Sequence, residues 1–98
     1  MLRQRLSDAL KVAMKSKDRL ATSTLRLILA AVKDRDIAAR GKGNADGISD
    51  DEVMGVLQTM VRQRDESIVF YEKGERPELA EKEAQEIVVI RSFLPEQM

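Results

Sequence analysis

The 98-residue sequence predicts an all-α fold, a four-helix domain of two antiparallel helical hairpins. Three observations lead there. Apolar residues recur at intervals of three and four through four successive segments. The breaks within each half of the chain are short, which forces neighbouring helices to run antiparallel. Phe70, Tyr71 and Phe93 are the three aromatic residues and Trp is absent, thin for a β-sandwich but ordinary for a bundle filled with Leu, Ile, Val, Ala and Met. The predicted helices cover about 2–16, 18–40, 49–73 and 77–94.

The first helix rests on Leu2, Leu6, Ala9, Leu10, Ala13 and Met14, with Arg3, Arg5, Lys11 and Lys15 on its other side. The second carries Leu25, Ile28, Leu29 and Val32, widened by Leu20, Leu27, Ala31 and Ile37. A stripe that broad implies contact with more than one neighbour, so this is the expected central helix. Gly41 is its expected left-handed C-cap. GKGNADG, residues 41–47, then reads as a loop.

The third helix opens with a strong local signature, ISDDEV. Ser49 and Glu52 have the spacing of a capping box, and Ile48 and Val53 occupy the two positions of a hydrophobic staple. Asp50 and Asp51 suit the positive end of the helix dipole. The inward residues expected here are Val53, Leu57, Met60, Val61, Ile68 and Tyr71, with Gly74 ending the helix. Pro77 fits the first turn of the fourth helix, where a missing N–H costs nothing. Its expected inward stripe is Leu79, Glu83, Ile87, Ile90 and Leu94, stopped by Pro95.

The composition, 43% apolar and 35% charged, is that of a soluble globular domain, and cytoplasmic location is the expectation. No stretch approaches the ~20 apolar residues of a membrane span. The formal net charge of zero conceals an asymmetry. Residues 1–42 hold eleven Lys/Arg against four Asp/Glu, whereas residues 43–98 hold six against thirteen. Either a basic hairpin is attracted to an acidic one, or the basic half offers a face to an anion such as RNA.

Arg3, Arg5, Lys11, Lys15, Lys17 and Arg19 are the candidate phosphate contacts. Lys11 and Lys15 share a helix face, and Lys17 and Arg19 fall at the turn. No aromatic residue is interleaved with them, so the pattern fits salt-sensitive backbone contact rather than base stacking. Arg64 lies on the inward stripe of the third helix between Val61 and Ile68. Counting back from the turn at 74–75 brings it level with Glu83 to Glu86, which predicts an Arg64–Glu83 or Arg64–Glu86 ion pair. Such a pair acts either as a register device between two helices or as a functional polar centre.

STLRLILAAVKDRDIAARGKG, then GISDDEV, then RQRDESIVFYEKGERPELAEKEAQEIVVIRSFLPEQM together resemble the YqeY-like proteins, also called the GatB/YqeY family. The likeness spans essentially the whole chain. It implies an all-helical N-terminal domain, followed in relatives by a smaller domain similar to the tail of the GatB subunit of tRNA-dependent amidotransferase. On that resemblance residues 1–94 form the N-terminal domain, and 95–98 begin a linker to a tail domain that this chain lacks. The implied partners are tRNA or an amidotransferase-type assembly, reached mainly through the tail. The activity the family description infers is that of a carbon–nitrogen ligase using glutamine as amide donor.

The residues themselves argue against catalysis. Ammonia release from glutamine needs an activated nucleophile, and the sequence holds no Cys and no His. Its serines lack the glycine-rich surroundings of a nucleophile elbow. No GxxxxGK[ST] loop is present to hold ATP. No metal site is expected either: aligning Gly47 with the glycine of a calcium loop that also uses Asn44 and Asp46 puts Lys42 and Val53 at ligand positions neither can fill. The expectation is a non-catalytic helical module with no cofactor. The ligase activity and a general protein-interaction role stand as alternatives.

Overall fold

A computed structural model describes residues 2–43 and 46–95. The chain runs α1 (Leu2–Lys15), α2 (Arg19–Gly41), α3 (Asp50–Lys73) and α4 (Pro77–Arg91), with no strand among the described residues. α1 pairs with α2 and α3 with α4. The two hairpins pack mainly through α2 against α4, and α2 and α3 each touch all three other helices.

The two hairpin turns, 16–18 and 74–76, are built alike. At the first, Asp18 N–H donates to Ala13 O at 3.0 Å and Lys17 N–H to Met14 O at 3.3 Å. At the second, Arg76 N–H donates to Tyr71 O at 2.8 Å and Glu75 N–H to Glu72 O at 3.2 Å. These are Schellman motifs, which satisfy the last carbonyls of a helix through one left-handed residue. That residue is Lys17 (φ 60°) in one turn and Glu75 (φ 58°) in the other, positions where a Cβ is strained. The next helices then start differently. Asp18 accepts from Ala21 N–H at 3.1 Å as a true N-cap, whereas Arg76 offers no side-chain cap and Pro77 supplies the first turn.

The capping box is present: Glu52 N–H donates to Ser49 Oγ at 3.2 Å, and Ser49 N–H to Glu52 Oε1 at 3.3 Å. Ile48 and Val53 are both buried beside it. The core gathers Leu2, Leu6, Leu25, Ile28, Val32, Val53, Leu57 and Ile90 from all four helices. Thr24 is fully buried among them, and its hydroxyl donates to Leu20 O at 2.8 Å, so no polar atom is stranded.

Several local expectations are corrected. Gly41 remains helical and Gly43 (φ 94°) takes the left-handed position two residues later. Met14, Leu27, Ile37 and Leu79 are exposed rather than inward. At the start of α4 Ala80 is buried in place of Leu79, because Ala80, Glu83, Ile87 and Ile90 follow one another at intervals of three and four on a single helix face. α4 ends at Arg91, short of Leu94. Ser92 Oγ donates to Val89 O at 2.6 Å, and Phe93 N–H and Leu94 N–H donate three residues back, tightening the exit before Pro95 is reached. Residues 96–98 of the expected linker, and Asn44 of the loop, lie outside the described residues. No described helix is long and apolar enough to cross a membrane.

Candidate basic cleft at the first hairpin turn

The six sequence-selected cations do not form one patch. Arg3 is engaged: Nη1 and Nη2 reach the two carboxylate oxygens of Asp36 at 2.7 and 2.9 Å, and Nη2 also reaches Ile48 O at 3.2 Å. Asp36 Oδ1 in turn accepts from Ile48 N–H at 2.9 Å. One bidentate pair thus clamps the start of α1, the second half of α2 and the entry to α3. Arg3 holds the Asp36 carboxyl at about 2, well below its ordinary value, with the Ile48 N–H adding to the effect. Arg5 lies over the Phe93 ring at 5.6 Å from its centroid. Lys11 and Lys15 are exposed on α1.

Lys17 and Arg19 meet at the other end of the hairpin. With Met14, Thr22, Ser23 and Arg26 they line an open cleft of about 520 Å³. Local structure puts them there. The Schellman turn fixes Lys17 at its left-handed corner, and the Asp18 cap makes Arg19 the first residue of α2. Thr22, Ser23 and Arg26 then follow at the spacing of one helix face. Arg26 was missed by a sequence reading that looked for cations close to the turn. Its signal was present all the same, in the i, i+3, i+4, i+7 series that begins at Arg19.

The lining contains three cations, two hydroxyls and no carboxylate. Nothing in it would draw a proton from Ser23, whose hydroxyl donates to Leu20 O at 3.1 Å. The cleft is equipped to hold an anion by the charge and the N–H donors of its three cations. It has no nucleophile paired with a base.

The second hairpin carries its charges inside. Arg64 Nε lies 3.2 Å from Glu86 Oε1 and 3.8 Å from Glu83 Oε2, while Nη1 donates to Met60 O at 3.2 Å. All three side chains are largely shielded, Glu86 most of all at 9% exposure. Two carboxylates share one guanidinium. Burial pushes the Glu83 carboxyl up, the charge of Glu86 pushes the same way, and Arg64 opposes both. No cluster of three metal-ligating side chains occurs among the described residues.

Comparison with known proteins places this geometry in context. The profile of the family described as Yqey-like protein matches residues 3–98. A Candida glabrata protein named Altered inheritance of mitochondria protein 41, mitochondrial, is 37% identical over 91 residues, covering 93% of this chain and 48% of its own length. The Kluyveromyces lactis protein of the same name is 33% identical over 88 residues, covering 90% of this chain and 45% of its own. An uncharacterized protein of Schizosaccharomyces pombe is 33% identical over 96 residues, 98% of this chain and 71% of that one. The chain spans about half the length of most of these curated relatives.

Proposed function

This chain belongs to the Yqey-like protein family, and from that premise we propose that it is a non-catalytic helical binding module, linked through its family to tRNA and amidotransferase-type assemblies. One observation carries the reading: Lys17, Arg19 and Arg26 converge on a single open cleft with Thr22 and Ser23 and with no acidic side chain. Such a site attracts a phosphate without reacting with it. Contacts of this kind position a nucleic-acid backbone and carry no sequence information.

The test is filter binding of labelled tRNA across a salt series. Retention at low salt that falls linearly on a log–log plot supports the module. Absence of retention at low salt refutes it. The ligase alternative is tested in the same preparation by ammonia release from glutamine, which the module reading expects to be absent. The cytoplasm is the compartment we propose. The mitochondrial names of the fungal relatives make the organelle the competing location, and fractionation of cells expressing a tagged chain separates the two.

A further inference from the structure

The cleft is one end of a longer feature. Along α2, Arg19, Arg26, Lys33 and Arg40 recur at every seventh residue, and all four are exposed. Seven residues advance a helix by roughly 10.5 Å, so each cation stands about that far from the next. The drift is only ~20° per heptad, which keeps all four on one side of the helix. None takes part in an ion pair among the described residues. Arg40 does help to lower the Asp36 carboxyl through its charge, though Asp36 is bonded to Arg3. The opposite face of α2 buries Thr24, Leu25, Ile28 and Val32, so the row is mounted on a helix held in place by the core.

We propose that this outward row of α2 is a binding surface for the phosphodiester backbone of a nucleic-acid duplex, with the cleft at its Arg19 end. This rests on the binding-module reading above and extends it from one phosphate to a line of them. A regular row of cations on a rigid rod matches a regular polyanion. The residues that alternate with the cations, Thr22, Ser23, Leu29, Ala30, Asp36 and Ile37, include one carboxylate, which is bonded to Arg3, and no aromatic side chain, which removes the stacking platform that an unpaired strand requires. Backbone contact with a duplex needs none. An anionic membrane is the poorer fit. A helix lying in a bilayer surface buries a broad apolar face, and the apolar face of α2 is already spent in the core.

Binding is measured as a function of salt for a blunt duplex RNA, the same sequence as duplex DNA, the single RNA strand, and vesicles containing phosphatidylserine. The wild-type chain is expected to bind duplex, RNA or DNA, more tightly than the single strand or the vesicles. Arg26→Gln, Lys33→Gln and Arg40→Gln each should lower the log–log salt slope by about 1, and the triple variant by about 3. Lys73→Gln, exposed on α3 and outside the basic hairpin, should leave the slope unchanged. Far-ultraviolet circular dichroism checks that these exposed substitutions keep the fold. If Lys17→Gln weakens binding while Lys33→Gln and Arg40→Gln do not, the row is wrong and the cleft reading survives. Wild-type binding to no nucleic acid at low salt overturns both. Equal binding to the single strand, or preference for vesicles, overturns the duplex assignment.

Discussion

The two hairpins share one plan and use charge in opposite ways. Both close through the same three-residue turn, each with a non-glycine residue in the left-handed region. In the α1–α2 hairpin the ion pair sits at the far end from the turn, where Arg3 and Asp36 match two donors to two acceptors and also hold Ile48. In the α3–α4 hairpin the charges lie between the helices, two carboxylates to one guanidinium. The first arrangement engages Arg3 and Asp36 and leaves Lys11, Lys15, Lys17 and the cations along α2 facing water. The second turns its charge inward, where it can serve register more readily than recognition. On the proposal made above, recognition belongs to the hairpin whose structural ion pair is complete in itself.

The largest test of this contrast is Arg64→Met. It strands the buried Glu86 and should destabilise the fold by about 3 kcal/mol, read from urea unfolding. Arg64→Met combined with Glu86→Leu should recover most of that loss. If the single variant costs no more than an exposed substitution, the inward pair is not a register device.

The turns come next. Glu75→Gly and Lys17→Gly should each raise stability by about 0.5–1 kcal/mol, since relief of the left-handed strain exceeds the added flexibility of the unfolded chain. Equal gains that add in the double variant would show that the two turns are energetically as well as geometrically alike. Unequal gains would show that one is held by its surroundings.

The acid limb separates the ion pairs. The Asp36 carboxyl is lowered to about 2 from 3.8, so its contribution is complete above pH 4 and disappears as pH falls toward 2. Asp36→Asn should therefore flatten the acid loss of stability seen in wild type. Glu83 has the opposite sign. Its folded-state pKa is raised above 4.5, so its contribution is present below that pH and is lost as pH rises through the raised value. Glu83→Gln should thus gain on wild type at neutral pH, by about a few tenths of a kcal/mol, the smallest effect of the set. Stability measured from pH 2 to 7 on both variants checks the two signs together.

Local chemistry explains what could be read in advance. The capping box at Ser49 and Glu52, the proline opening α4 and the periodicity of Leu25, Ile28 and Val32 are each decided within one or two helical turns. The Arg3–Asp36–Ile48 clamp was invisible because it joins residues 33 and 12 positions apart. The left-handed residues were missed because glycine is the expected occupant, yet Lys17 and Glu75 hold those positions while Gly74 is right-handed. Leu79 and Ala80 exchanged places because both lie at a helical spacing from Glu83 and Ile87, and size and apolarity alone favoured the leucine. At the cleft, Lys17 and Arg19 were legible from their nearness to the turn. Arg26 was not, because it becomes a neighbour only when α2 is counted as a continuous helix.

The clamp has one more consequence. Ile48 is gripped through both its N–H and its carbonyl by side chains from two helices, so the crossover between hairpins is anchored at that residue as firmly as at the end of α2. Lengthening the crossover ahead of Ile48 should therefore leave that anchor in place, and each doubling of its length should cost only about 0.6 kcal/mol. An epitope or fluorophore-bearing peptide could be spliced in there without loosening the bundle. A single side chain at Gly47 would do more harm: the φ of 89° strains any residue with a Cβ, and that Cβ would lie 3.0 Å from Asp36 Oδ1 and 3.2 Å from Arg3 Nη2, so the latch itself would have to shift.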